Sequence, residues 1–503
     1  MKASTLQPVG RIGTATRLDS SALPLVLLAL WLLATLGLRP LLQPDEGRYA
    51  SVAREMLIGD WLVPTLNGLP FFHKPPLFYW LDMAAMQLFG INAFAARVAS
   101  MLGAWLMGAS LFFAMRRWHG PRCAAIALGV LATCPFFYIG AQYANHDMLV
   151  AGLITAAILA LAIAVERPPQ VHIGWLLAGS LACALATLAK GLIGFVLPVL
   201  VIGPWLLAQG RWRQVVKLLH PLGLLVFLLV AAPWFVVTQM SYPAFFDYFF
   251  VEQHFRRFAL SSFNNVAPFW FFIVLLPVLT LPWSTSLPQA LKRAWTTHDG
   301  RTGLYVWWVI AIVGFFSLPS SKLAGYVLPA AAPWCALLTL AVARSNTRLW
   351  QWVMGASALM CVVLVAVIAW QAPKSNRAAA LVLAARIAPI DTVVMVDEYF
   401  YDLPFYARLT RPVIIASHWA DPELPMRDNW RKELFDATRF APALGRDVLR
   451  PLNRLDTLLC GTGTVWFVVV PKQAQRVAGL TGITRVFANA NSELWRAPAR
   501  SCS

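Results

Sequence analysis

Eleven times before residue 371 the chain turns apolar for about the length that carries a helix across a bilayer. A hydrocarbon core of ~30 Å takes ~20 helical residues to cross, and a water-soluble core has no use for so many segments of that length. The runs centre on residues 22–42, 92–115, 123–140, 148–165, 173–189, 191–208, 217–238, 266–287, 303–319, 324–343 and 349–370. Only Lys190 and Gly191 separate the fifth from the sixth. The expected fold is a polytopic α-helical membrane protein with about eleven, and at most thirteen, transmembrane helices. The first run is too long, and lacks the small-residue cleavage site, to be read as a removed leader.

Basic residues orient these spans, because cytoplasmic loops carry the Lys/Arg excess. Of the 41 Lys and Arg, fifteen fall on the side of the N-terminus, including Lys2, Arg11, Arg17, Arg116, Arg117 and Arg122; nine lie on the opposite face before residue 371 and seventeen follow it. Putting the fifteen inside makes the N-terminus cytoplasmic and, after eleven crossings, leaves residues 371–503 outside. Carboxylates distribute the other way. Only Asp19, Glu166 and Asp299 are inside, whereas Asp45, Glu46, Glu55, Asp60, Asp82, Asp147, Asp247 and Glu252 are outside. Chemistry is therefore expected on the outer face. The net charge of +18 does not mean nucleic acid, since no basic run is interleaved with stacking aromatics. Seven cysteines without a C-x-x-C pair exclude a disulfide scaffold and a zinc-type site.

After Gln371 charges rise, and β-rich runs appear at Thr392–Val396, Pro412–Ala416 and Val465–Val470. The chain thus divides into a transmembrane domain, 1–370, and a small extracytoplasmic α/β domain, 371–503. The latter carries 17 Lys+Arg against 12 Asp+Glu, a surplus that suits an anionic membrane surface. Gly461–Thr464 reads as a tight turn, because a phosphate loop would need a helix after it. Cys460 and Cys502 share the oxidising side and are candidates to pair.

The first outer loop, 43–91, is the most informative stretch. It opens Pro44-Asp45-Glu46-Gly47-Arg48-Tyr49, and Tyr49, Val52, Ala53, Met56 and Leu57 then recur at helical spacing, predicting an amphipathic helix in the membrane interface. Asp45 either caps that helix or faces a lipid headgroup directly after the first span. Later comes Phe71-Phe72-His73-Lys74-Pro75-Pro76-Leu77-Phe78-Tyr79-Trp80, where the prolines start a second interfacial helix. Lys74 before it either snorkels to lipid heads or neutralises one specific phosphate.

Asn145-His146-Asp147 precedes an apolar run, so Asp147 is a helix cap or a functional carboxylate at the membrane boundary. In Glu252-Gln253-His254-Phe255-Arg256-Arg257, His254 and Arg257 share a helical face, and the arginines meet lipid phosphates or grip a single one. Ser321-Lys322-Leu323-Ala324-Gly325-Tyr326 brings another cation and a tyrosine to the same level. Carboxylates with several cations, and no nucleotide motif, suit a reaction on a lipid-linked phosphate. His73, Glu252 and His254 are also the one candidate set for a divalent metal, although their spacing is not diagnostic and histidines at a wet interface account for them better.

PDEGRY, FFHKPPLFYW, NHD, HFRRF and SKLAGYVLP together resemble the bacterial relatives of protein O-mannosyltransferases, in particular the 4-amino-4-deoxy-L-arabinose transferases that modify lipid A. The resemblance implies a GT-C glycosyltransferase of the bacterial inner membrane with a polyprenyl (undecaprenyl) phosphate sugar as donor. Lipid A, lipopolysaccharide or another envelope glycolipid would be the acceptor, and the anomeric centre would be inverted. It makes Asp45 and Asp147 catalytic, Lys74, Arg257 and Lys322 donor-phosphate ligands, and Glu46, Arg48, Tyr49, Tyr79 and Tyr326 pocket residues, with no obligatory cofactor. His73 departs from the Glu usual before the loop lysine, which leaves sugar and acceptor open. Two rivals remain: a flippase of lipid-linked sugars, which should place ionisable or broken helices at the bilayer midplane, and a non-catalytic envelope protein.

Overall fold

Lipid offers no partner to a backbone N–H or C=O, so each apolar run must close its hydrogen bonds within itself as a helix. The computed structural model describes residues 22–256, 265–297, 299–343, 347–371 and 374–500. Among these, seven helices are long and apolar enough to cross a membrane: Ala95–His119, His146–Ala164, Ile173–Lys190, Pro221–Ser241, Gly300–Ser317, Ala324–Val342 and Arg348–Gln371. Two further runs are bent pairs, Pro121–Ala132 with Pro135–Ala141 at 66° and Phe271–Leu279 with Trp283–Thr296 at 107°. Pro135 and Pro282 stand at those breaks, where a residue without an N–H cannot continue a helix. The last two runs are the shorter helices Ala22–Leu33 and Ile193–Ala208. Seven to nine crossings therefore meet the length and composition requirement, against the eleven expected. The chain is a multi-pass membrane protein.

His146–Ala164 is the central helix, buried along nearly its whole length. A Cβ added to Gly103 or to Gly152 would overlap the other helix's backbone, so Ala95–His119 and His146–Ala164 touch main chain to main chain.

The outer loop folds as helix Asp45–Ile58, a hairpin pairing Thr65–Leu66 with Leu69–Pro70, and helix Leu77–Phe89. The hairpin turns on Asn67 and Gly68, both at positive φ (55° and 75°). Their amides donate to the Glu55 carboxylate at 2.8 and 2.9 Å.

Asp45–Ile58 forms where the helical spacing predicted, but it does not lie with a polar face open to water. Glu46, Gly47, Ser51 and Arg54 are buried along with its apolar stripe. Glu46 turns to Arg39 and Arg97, whereas Gly47, Ser51 and Arg54 are covered by the C-terminal domain. Ser51 Oγ donates to Tyr401 O at 2.8 Å, Arg54 Nη1 to Leu409 O at 2.5 Å, and Gln43 Nε2 to Asp402 Oδ1 at 2.6 Å. Asn67 and Val413 exchange two further bonds, 2.9 and 2.7 Å.

That domain is built on a six-stranded sheet. In spatial order its strands are Leu449–Pro451, Ile414–Ser417, Thr392–Val396, Thr464–Val469, Glu493–Pro498 and Thr484–Ala488. The first four run parallel and the last two pair antiparallel. The three expected β-runs are present, within two residues of their expected bounds. Gly461 and Gly463 take positive φ in the turn before Thr464, which leads into a strand as expected. Cys460 is disulfide-bonded, and Cys502 lies outside the described residues.

Candidate active site

The cis-linked Pro44 and the helix start that follows it set Asp45 at the inner edge of the outer loop, while Asn145 caps the central helix and delivers Asp147 to the same level. Both carboxylates line one cavity of about 600 Å³. Its remaining wall is largely hydrocarbon, with Phe136, Ile139, Leu279, Leu328, Met360 and Leu364 among its residues. Tyr143 and Asn145 share the polar end with the two aspartates. An apolar cavity with two acids on its wall suits a ligand that joins a hydrocarbon part to a polar one.

Each acid is held by one cation. Asp45 pairs with Arg48, three residues on, and keeps more than a quarter of its side chain exposed. Asp147 accepts from Lys190 Nζ, whose ammonium stands 4.9 Å from the centre of the Tyr326 ring. Gly325 completes this clasp, because any Cβ there would overlap the Asp147 carboxylate. Lys190 was not among the sequence candidates. The signal was present: a lysine ending an otherwise apolar run at a helix C-terminus is costly unless paired.

Other expected pocket residues take different places. Glu46 is fully buried and absent from the cavity wall. It accepts from Arg39 and Arg97, with Arg97 Nε at 2.8 Å, and from the amides of Leu42 and Ala144, each at 2.9 Å. Burial alone would raise its pKa, but the facing guanidiniums of Arg97 and Arg39 more than offset this and hold it at about 2. Arg48 is a bridge rather than a pocket surface: beyond Asp45 it pairs with Glu433 of the C-terminal domain and stacks between Tyr49 and Tyr401, 5.2 and 5.4 Å from their ring centres. Tyr79 is wholly buried behind the wall. With Tyr49 and Phe78 it encloses the His146 ring at 4.5 to 5.1 Å. Tyr49 lies within electrostatic reach of both Asp45 and Asp147, and its hydroxyl is pushed well above the ordinary tyrosine range by burial.

Lys322 does not reach the cavity either. Its ammonium is buried and donates to the carbonyls of Ala267, at 2.9 Å, and Pro319, fastening the bridge between Val266 and Ser321. Lys74 is half-buried, close enough to act electrostatically on His146 as Lys190 does. Arg257 and the His254 side chain lie outside the described residues. Glu252 is ion-paired with Arg439 at 2.9 Å, and His73 stacks on Phe71 with ring centres 4.3 Å apart. Among the described residues no three His, Cys, Asp or Glu converge as a metal site.

The chain is similar to known proteins in sequence and in fold. The family model described as dolichyl-phosphate-mannose-protein mannosyltransferase matches residues 73–237. An undecaprenyl phosphate-alpha-4-amino-4-deoxy-L-arabinose arabinosyl transferase of Erwinia tasmaniensis is 38% identical over 316 residues, 62% of this chain and 57% of that protein. Its counterpart in Aeromonas hydrophila is 36% identical over 361 residues, 69% of this chain and 66% of that protein. The matched part thus spans less than two thirds of each relative. The crystal structure of ArnT from Cupriavidus metallidurans bound to undecaprenyl phosphate superposes with a TM-score of 0.81 at 24% identity, over 94% of this chain and 97% of that one. The fold is therefore GT-C, C-terminal α/β domain included, and the resemblance read in the sequence stands.

Proposed function

We propose that this chain, a relative of the aminoarabinose transferases in sequence and a GT-C protein in fold, is an inverting glycosyltransferase. It would take a sugar from polyprenyl phosphate and place it on lipid A or another envelope glycolipid, on the periplasmic side of the bacterial inner membrane. The N-terminus would be cytoplasmic, as the fifteen basic residues on that side favour. The observation that carries the reading is the pairing of Asp45 and Asp147 at the polar end of an otherwise apolar cavity.

In this scheme the isoprenoid chain lies along Phe136, Ile139, Leu328 and Leu364, which sets the sugar phosphate at the mouth. The acceptor oxygen attacks the anomeric carbon from the face opposite the phosphate. The C–O bond to the carrier breaks, and polyprenyl phosphate leaves with the electron pair. A hydroxyl acceptor gives its proton to Asp45, the more exposed of the two acids. An acceptor that is already an ionised phosphate needs no base, and Asp45 then orients the donor. Asp147 is held by Lys190 as the second acid, and Tyr326 lies against that pair. Lys74 and Arg257 stabilise charge growing on the leaving phosphate, a contribution of ~3 kcal/mol per preorganised donor. The protein's own cations serve here, and a divalent ion is not part of the scheme.

The test is lipid analysis by mass spectrometry of a deletion strain complemented with wild type or with Asp45→Ala. A glycosylated envelope lipid that disappears on deletion and returns only with wild type is the expected result. If no glycolipid changes, the proposal falls. With purified protein, a retained anomeric configuration in the product would exclude the single-displacement step.

A further inference from the structure

A second cavity, about 910 Å³, opens in the C-terminal domain far from the isoprenoid slot in sequence. It lies where three parallel strands end. Asp397 follows Thr392–Val396, Ser417 and His418 end and follow Ile414–Ser417, and Pro451 ends Leu449–Pro451. From Thr392–Val396 the chain moves to one side of the sheet for Ile414–Ser417, then returns to the other side for Thr464–Val469. The reversal itself falls between Thr392–Val396 and Thr464–Val469, and the cavity sits to one side of it, over the carboxyl ends of Thr392–Val396, Ile414–Ser417 and Leu449–Pro451, the end of an open α/β sheet at which ligands bind. The lining chemistry decides which ligand. Trp419 and Trp430 stand perpendicular, ring centres 5.8 Å apart, and the Trp419 indole N–H is committed to Ile415 O at 3.0 Å, so carbon surface is what it has to offer. Around them are an Asp421–Arg431 pair at 3.6 Å, the exposed His418 and Asn453, and Asp397. Asp397 is held at φ +51° by Ser417 Oγ (2.7 Å) and Gln473 Nε2 (3.1 Å).

We infer that this cavity binds a saccharide: the tryptophan surfaces meet the C–H faces of a pyranose ring, and the paired carboxylates, guanidinium and amide meet its vicinal hydroxyls. A phosphate or nucleotide fits poorly. No glycine follows Thr392–Val396 to let the backbone approach a phosphate, and the nearby guanidiniums of Arg431 and Arg476 are already paired with Asp421 and Asp397 at 3.6 and 3.3 Å. The first amides of helix Trp430–Ala437, which would serve an anion, already donate to the Asn429 side chain at 3.0 and 3.2 Å. The same helix carries Glu433, the partner of Arg48, which in turn holds Asp45. The site is thus placed to hold outlying sugars of a glycolipid whose reacting end sits in the first cavity. That last role rests on the proposed transferase reading, whereas saccharide binding itself does not.

The experiment is calorimetric or tryptophan-fluorescence titration of the full-length protein in detergent, using core oligosaccharide released from lipopolysaccharide by mild acid, lipid A without core sugars, and ATP. Saturable binding of the free oligosaccharide is expected, weakened roughly tenfold by Trp419→Ala, the scale of one lost aromatic contact. Asp45→Ala should leave it unchanged. Should Trp419→Ala fail to fold, His418→Ala on the exposed rim replaces it, and a weakened titration is again expected. Absence of saturable saccharide binding, binding of lipid A alone, competition by ATP, or wild-type affinity in both variants would overturn the inference. An oligosaccharide that binds in a protein showing no transfer keeps this site and removes the transferase reading, so the two fail separately.

Discussion

Asp45 and Glu46 are neighbours in the chain and opposites in environment. Glu46 is sealed between two buried arginines and two backbone amides, so all its interactions are already made. Asp45 has one cation and an open side on a cavity. A carboxylate whose interactions are all internal stabilises the fold, and one with an unfilled side is available to a substrate.

The largest test of that distinction is Asp45→Asn, which should lower kcat about 10²–10⁴-fold, the range for losing a general base, with the melting temperature nearly unchanged. Unfolding of this variant instead would erase the contrast. Glu46→Gln should do the reverse, costing about 3–5 kcal/mol of stability because two buried guanidiniums lose their counter-charge. Thermal melting in detergent reads it. The pH dependence carries the same sign. Glu46 titrates at about 2 in the folded chain, below the ordinary 4.5, so its stabilisation is complete above about 4.5 and lost as pH falls towards 2. Wild type should therefore lose melting temperature over that window more steeply than Glu46→Gln.

Lys190→Met should reduce kcat by about 10²-fold, with a smaller change in KM, if the Asp147 clasp acts in the transition state. A raised KM with kcat unchanged would make Lys190 a binding residue only. Gly325→Ala pushes on the Asp147 carboxylate and should cost roughly tenfold in activity for about 1–3 kcal/mol of stability, the usual range for overpacking. The smallest expected effect is that of a chelator, which should leave transfer intact. Activity restored only by a divalent ion would return His73 and His254 to the mechanism.

Helix positions were legible because the lipid leaves an apolar run one backbone solution, and Asp45 and Asp147 could be placed at one level because each adjoins a span. What the sequence does not carry is where a flexible cation turns. Lys322 and Lys190 both stand at the ends of spans, yet one ammonium caps backbone carbonyls and the other reaches an aspartate. The Asn67-Gly68 hairpin is legible from turn chemistry, since Asn and Gly are the residues that take positive φ most readily. The strands Thr484–Ala488 and Glu493–Pro498 were harder, because the first is an edge strand with mostly exposed or half-exposed positions and lacks a clear alternation.

Arg48 and Glu433 are 385 residues apart, and their ion pair spans the division between the first outer loop and the last domain. Synthesis runs from one to the other, so the loop bearing Asp45 leaves the ribosome long before the partner that braces it. Until residues beyond 433 have been made and have folded, the loop helix lacks that domain's cover and Arg48 holds Asp45 without its second anchor. Chains that stop early would therefore carry the membrane helices without the contact that braces Arg48.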